Sequence, residues 1–299
     1  MRNFRNLVPD AALLQETIQH LRASGGRAKS VEVAEAVLQI PDPDPALATS
    51  LLSELFCEDW RLSVSEETHE VQMLCEDDEC RSLDEADFVV FDVETTGPKT
   101  PPCRIMELGA CRVSGGRIVA EFRTLVNPRM PIPPFISSLT GISDEMVADA
   151  PAFEEVAADW LSFADLSVLV AHNAIFDVRF INHELSLVYP GRRMPNAHLC
   201  TVSLARRLMP ELKSFRLHAL ANHFSVSHRF RHRAGDDARA TAEIFLFLLE
   251  RLRRGGVRDI AGARRYRLAP AKKPRPEPAT EAVAQAAEAA QARPATEPV

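Results

Sequence analysis

The stretch Phe88-Val89-Val90-Phe91-Asp92-Val93-Glu94-Thr95-Thr96-Gly97 decides how the chain is read. Four apolar residues run without a break into two carboxylates one residue apart, and then into a turn. A short run rich in Val and Phe is the pattern of a strand buried on both faces, and residues i and i+2 of a strand point to the same side. Asp92 and Glu94 are therefore expected to project together from the strand's end. Paired carboxylates repel and raise each other's pKa unless a cation lies between them. A hard divalent ion such as Mg2+ meets that need, because it takes a few carboxylate oxygens and keeps its other positions for water and phosphate. By itself the pair fits a strand end with two solvated acids equally well, so the choice rests on the remainder of the chain.

Working outward, the 299 residues are 46% apolar and 26% charged, enough for one domain of ordinary size and a smaller one. No apolar run approaches membrane-spanning length, and Met1 to Asp10 lacks the apolar core of a signal peptide, so a cytoplasmic protein with no membrane partner is expected. The six cysteines form no CxxC pair and no zinc-spaced cluster, and reduced thiols are expected. The net charge of -7 is unevenly spread: residues 1–84 carry 7 Lys and Arg against 17 Asp and Glu, and residues 85–299 carry 28 against 25. Residues 192–239 hold ten Lys and Arg against Glu211, Asp236 and Asp237, a basic field suited to a polyphosphate, although arginines solvated on helix faces give the same pattern.

Apolar spacing of three and four predicts helices from Asp10 to about His20, Lys29 to Gln39 and Pro45 to Phe56. A hairpin from Trp60–Ser65 and Val71–Cys75 follows, which makes residues 1–80 a small winged-helix-like α+β domain. Its acidity, with Arg61 alone basic between Glu54 and Glu79, favours docking to a protein over reading DNA. Residues 81–86 read as an acidic linker. Beyond the D-x-E strand, Arg104–Val113 and Arg117–Val126 predict two more strands joined by Gly115-Gly116. Phe153–Phe163 predicts a helix and Leu166–Ala171 a buried strand, which leads into a helix carrying Asp177 in its first turns. A lone Asp there is an ordinary cap or solvated residue; beside Asp92 and Glu94 it becomes a third candidate ligand. Helices are predicted at Thr201–Leu208 and Arg216–Phe224. The Arg-rich loop 228–236 runs into a helix whose apolar face is Ala238, Thr241, Ala242, Phe245, Leu248 and Leu249. Asp237 lies just before that face and His232 five residues earlier; His218, His223 and His228 read as solvated. Residues 256–299 read as a basic linker and a disordered, Ala- and Pro-rich tail.

Three segments in order, VVFDVETTG, VAHNAIFDVRF and HRAGDDARATAEIF, resemble the three motifs of the DEDDh (DnaQ-like) exonucleases, which include the epsilon proofreading subunit of bacterial DNA polymerase III. The resemblance covers about residues 86–250, includes LTGISDEMV and ELGA, and keeps the five-residue step from His to the last Asp. It implies an α/β domain over residues 87–255 of RNase H-like fold, a mixed five-stranded sheet with helices on both faces and a site at the carboxyl ends of its strands. It also implies that Asp92, Glu94, Asp177 and Asp237 hold two divalent cations, Mg2+ or Mn2+, and that His232 is the general base. Thr95, Thr96 and Gly97 would contact the terminal nucleotide, largely through backbone, and Asn173 would help shape the site.

The expected activity is metal-dependent 3'-5' exonuclease action on single-stranded or frayed DNA ends, releasing nucleoside 5'-monophosphates in proofreading or repair. The same chemistry on RNA or short oligonucleotides is the nearest alternative, since the choice turns on a 2'-hydroxyl. A non-catalytic module that binds nucleic acid or a polymerase is the other; a repulsive carboxylate cluster argues against it. The acidic N-terminal domain is the expected docking element for a DNA polymerase or repair partner.

Overall fold

The computed structural model of the chain describes residues 4–74, 80–228 and 232–267. The N-terminal part runs β1 (Val8–Pro9), α1 (Ala12–Ala23), β2 (Arg27–Lys29), α2 (Ser30–Leu38), α3 (Pro45–Phe56), β3 (Leu62–Ser65) and β4 (Glu70–Met73). The start of α3 is written in the sequence: Asp44 Oδ1 accepts from the N–H groups of Ala46 and Leu47, both at 3.0 Å, and Pro45 takes the first helical position. Strands β2, β4 and β3 form an antiparallel sheet in that order, and Leu14, Leu21, Val33, Leu52 and Val71 join helices and sheet in one core. The two-residue β1 and the strand β2 were not predicted; such short pairings have too few residues to show a period.

The larger part continues with β5 (Phe88–Thr95), β6 (Ile105–Ser114), β7 (Arg117–Leu125), α4 (Pro134–Thr140), α5 (Asp144–Val147), α6 (Phe153–Ala164), β8 (Val168–Ala171) and α7 (Ala174–Val188). It closes with β9 (Arg192–Arg193), β10 (His198–Cys200), α8 (Thr201–Leu208), α9 (Leu217–Phe224), α10 (Ala234–Arg254) and α11 (Ile260–Arg265). The sheet is mixed and five-stranded, in the order β10-β8-β5-β6-β7. β5, β6 and β7 form an antiparallel meander, whereas β8 runs parallel to β5 and β10 parallel to β8. This is the RNase H-like arrangement.

The central strand separates two cores by side-chain alternation. Val89, Phe91 and Val93 pack with Trp160 and Phe180 of α6 and α7. Phe88 and Val90 pack on the other face with Leu204, Leu220, Phe245 and Leu248 of α8, α9 and α10. The Phe88 and Phe245 rings meet edge to face at 4.9 Å. Asp92 and Glu94 continue the parity of Phe88 and Val90, so the strand itself aims both acids toward the side where α10 begins.

The two parts are joined closely. β1 pairs antiparallel with β9, Val8 opposite Arg193, and Leu7 enters the core beneath α6 and α7. Asn6 Nδ2 donates to Leu161 O at 2.9 Å, and Trp60 Nε1 to Arg5 O at 2.7 Å. Residues 81–86, read as a linker, contribute Leu83 and Ala86 to the core, and Ile260 of α11 extends that core past residue 255. The expected disordered tail lies, beyond residue 267, outside the described residues. No helix among the described residues is long and apolar enough to cross a membrane.

Candidate active site

The cluster forms where β5 loses its parallel neighbour. β8 pairs with β5 only as far as Val90, after which its chain turns into α7 and brings Asp177 back against the exposed edge of β5. Val93 N–H donates to Asp177 Oδ1 at 3.3 Å, and the Asp177 side chain is buried. The turn that permits this places Asn173 in the left-handed region, φ 81°, a conformation Asn tolerates better than most residues. From the opposite side, the first turn of α10 delivers buried Asp237. Ligand atoms of Glu94, His232 and Asp237 lie within 4.8 Å of one another. The structure thus draws the sequence-predicted Asp92, Glu94, Asp177, Asp237 and His232 to one end of the sheet.

Position of α10 depends on β6, in two ways that the motifs did not show. Gly109 lies opposite Asp92 in the ladder, and a Cβ there would come within 2.3 Å of the Ala234 and Gly235 backbone. The helix start therefore rests directly on a glycine. Glu107, buried and opposite Glu94, accepts from Ala234 N at 3.0 Å and is gripped by Arg233, with Nη2 at 3.0 Å and Nε at 3.1 Å. The signal for Glu107 was present in the antiparallel register of the predicted meander, which sets it across from Glu94.

The electrostatics are those of crowded anions. Burial, followed by repulsion from Asp177, Glu94 and Asp237, holds Asp92 well above the usual carboxylate range. Burial, then Asp237 and Glu107, pushes Glu94 up to about 8. Burial raises Asp177 well above its ordinary value and raises Asp237 as well, the latter opposed by a hydrogen bond from His228. An all-oxygen set of four carboxylates that disfavour one another's ionisation fits hard divalent cations such as Mg2+ or Mn2+ better than soft ones.

His228 corrects the sequence reading. Expected to be solvated, its side chain is only 6% exposed, and Nε2 hydrogen-bonds Asp237 Oδ1. A contact between residues nine apart, one of them outside the helix, is not encoded in the local pattern. The other Asp237 oxygen accepts the His232 backbone N–H at 3.1 Å. His232 itself is exposed, with a left-handed φ of 60°. His172 was also missed: its Nδ1 lies 2.9 Å from Thr201 Oγ1, and burial lowers its pKa to about 4, so it remains neutral.

Of the residues expected to touch substrate, Thr95 ends β5 and Thr96 and Gly97 lie in the turn beyond it. Thr95 Oγ1 donates to Gly97 O at 2.8 Å. Thr96 Oγ1 accepts from Arg104 N at 3.0 Å, and Thr96 N–H donates to Arg104 O at 2.9 Å. Both hydroxyls thus hold the turn. A Cβ on Gly97 would meet Cys103 Sγ at 2.6 Å. Asn173 is exposed and immediately precedes α7, the helix that carries Asp177. The basic field of 192–239 is not one surface. Arg192 pairs with Glu58 at 2.8 Å, Arg193 bonds Gln15, Arg233 holds Glu107 and Arg239 pairs with Glu121, whereas Arg206, Lys213 and Arg216 are exposed.

Residues 89–245 match the family model described as Exonuclease (RNase_T). A DNA polymerase III subunit epsilon from Aquifex aeolicus is 41% identical over 165 residues, covering 55% of this chain and 81% of that protein. A DNA polymerase III PolC-type from Caldanaerobacter subterraneus subsp. tengcongensis is 46% identical over 177 residues, 59% of this chain but 12% of that protein. The chain thus spans only a small part of this longer relative. The crystal structure of E. coli exonuclease I in complex with a dA16 oligonucleotide superposes with a TM-score of 0.51 at 20% identity, over 56% of this chain and 42% of that one. That likeness supports the fold.

Proposed function

The chain belongs to the exonuclease family (RNase_T), and from that premise we propose that it is a metal-dependent 3'-5' exonuclease that removes nucleoside 5'-monophosphates from DNA 3' ends. The observation that carries the reading is the convergence of Asp92, Glu94, Asp177 and Asp237 from β5, α7 and α10 beside His232. Those four carboxylates would hold two divalent cations, which when bound supply a water nucleophile at neutral pH and neutralise charge at the scissile phosphate. His232, with a ring nitrogen at the cluster and its backbone tied to Asp237, takes the proton of the attacking water. Glu107 and Arg233 fix the start of α10 and hence the reach of Asp237. Asn173, just before α7, and the turn at Thr95 to Gly97, just beyond the two acids of β5, would shape the space for the terminal nucleotide.

DNA is favoured over RNA by the relatives, which are named as DNA polymerase III components. The N-terminal part, three helices on a three-stranded antiparallel sheet, supports a winged-helix-like docking module for a polymerase or repair partner. The test is product analysis: single-stranded DNA and RNA of one sequence, each with Mg2+, chromatographed after incubation with the wild-type chain and with Asp92→Asn. Nucleoside 5'-monophosphates from DNA, absent with Asp92→Asn, are expected. Nucleoside 3'-monophosphates, or undiminished release by the variant, would overturn the reading.

A further inference from the structure

Helices α1 and α3 of the N-terminal part leave an open groove of about 430 Å3, lined by Pro9 and Leu14 from the α1 side and by Leu51, Glu54, Leu55 and Glu58 from the α3 side. Helix α3 is apolar on two faces. Ala48, Leu52 and Phe56 are buried, and Leu52 and Phe56 join the core of this part. Leu47, Leu51 and Leu55 follow one another at four-residue steps on a different face, where Leu47 is 53% and Leu51 36% exposed. A solvated helix carries polar residues on its outward face, so a second leucine stripe beside a groove marks a surface that a partner covers.

The charge around the groove is of one sign. Residues 9–19 and 41–58, which supply its whole lining, contain no Lys, Arg or His, but hold Asp10, Glu16, Asp42, Asp44, Glu54 and Glu58. Glu58 already holds one guanidinium, that of Arg192 at 2.8 Å, whereas Glu54 is exposed and has no ion pair among the described residues. An acidic rim repels nucleic acid. A small-molecule site needs convergent polar groups, and this lining offers leucines, a thiol and carboxylates. The walls are helical, and Pro9, the one strand residue among them, has no N–H to offer an added strand. What remains is a helix laid into the groove, with cationic flanks to meet the acids.

We propose that this groove receives an amphipathic helix of a partner protein, its apolar stripe seated on Leu47, Leu51 and Leu55 and its Lys or Arg flanks facing Glu54 and Glu58. From Leu47 to Glu58 the receiving face of α3 is about 16 Å long, the reach of three helical turns. The proposal rests on the reading of the N-terminal part as a docking module and gives that module its surface. It does not depend on the chemistry of the carboxylate cluster. Because β1 pairs with β9 and Leu7 enters the core of the sheet domain, a helix held here is fixed in position relative to the cluster.

The test titrates the full chain into two labelled four-turn helical peptides that share one leucine stripe, one flanked by Lys and Arg and the other by Glu, with fluorescence anisotropy as the readout. Leu51→Gln removes an apolar anchor and Glu54→Lys reverses a rim charge, both at exposed positions. Saturable binding of the basic peptide is expected, about tenfold tighter than the acidic one and weakened about tenfold by Leu51→Gln. Glu54→Lys is expected to weaken it by about threefold, since a rim charge contributes less than an apolar anchor. Equal affinity for the two peptides, affinity unchanged in Leu51→Gln, or no saturable binding would overturn the proposal. So would a dimer of the free chain in sedimentation that Leu51→Gln dissolves, because a second copy would then be the occupant. Both variants are expected to cleave a short single strand at the wild-type rate, which shows the fold intact and keeps a failure here separate from a failure of the nuclease reading.

Discussion

His228 Nε2 hydrogen-bonds Asp237 Oδ1 across nine residues of chain, so a histidine from outside α10 fixes a carboxylate of its first turn. His232, five residues from Asp237, touches the same carboxylate by its backbone and leaves its ring at the cluster. Under the proposed function the two histidines would have separable roles: one would orient a metal ligand, the other would handle a proton. His228→Ala is expected to raise the Mg2+ concentration for half-maximal cleavage by about 10- to 100-fold, the usual effect of removing a hydrogen bond behind a metal ligand. His232→Ala is expected to lower kcat by about 100- to 10,000-fold with little change in Mg2+ demand. Steady-state rates over a Mg2+ series for both variants provide the check; matching profiles would contradict the division.

The metal-free protein should grow less stable as pH rises. Glu94 has a folded-state pKa of about 8 against an ordinary 4.5, so between those values the folded state keeps a proton that the unfolded chain releases. Stability present below pH 4.5 is thus lost as pH approaches 8, and Asp92 and Asp177, also raised, act in the same direction. Melts in EDTA are expected to show Tm falling by about 5 °C or more across this window. Asp177→Asn should flatten the fall, and Mg2+ should reverse it most at the alkaline end. A Tm that rises with pH in EDTA would contradict the electrostatic picture.

Gly109→Ala should damage the site without altering any polar group. The added methyl meets the backbone of Ala234 and Gly235 at 2.3 Å, which only a shift of α10 can relieve. Overpacking of this kind destabilises by about 1–3 kcal/mol. Displacing Asp237 should reduce cleavage more than the lost stability explains, measurable as a fall in kcat well below Tm. Wild-type kcat in this variant would show that α10 can move without consequence.

Arg104 and Glu184 tie β6 to α7, the helix that carries Asp177. Glu184 is fully buried and receives Arg104 Nε at 2.9 Å, Arg104 Nη2 at 2.7 Å and Ile105 N at 3.0 Å. Removing one partner of a buried pair leaves an uncompensated charge, so Arg104→Met is expected to destabilise by about 3 kcal/mol. Denaturant unfolding checks this, and a change below the measurement error would mean that Glu184 is served by its backbone donor alone.

Much of this was legible beforehand because long periodic elements announce themselves. The D-x-E strand, helix Thr201–Leu208 and the apolar face of α10 follow from alternation and three-four spacing; Asp92 and Glu94 lie at the end of that strand, Asp177 in the first turn of α7 and Asp237 in the first turn of α10. The contacts made only in three dimensions were not legible. His228 reaches Asp237 from outside α10, and Arg192 and Arg193 reach Glu58 and Gln15 across more than a hundred residues. Strand β9, which carries those arginines, has two residues and no period. Tertiary pairing, unlike burial, leaves little trace in a local pattern.

The most direct test of the central claim follows a 5'-end-labelled single-stranded DNA through a time course with the full chain, with Mg2+ and with EDTA. The expected result is a ladder that shortens by single nucleotides from the 3' end, needs Mg2+, stops in EDTA and is absent with Asp177→Asn. Immediate release of the label as a mononucleotide, random internal fragments, or no cleavage in Mg2+ or Mn2+ would contradict it.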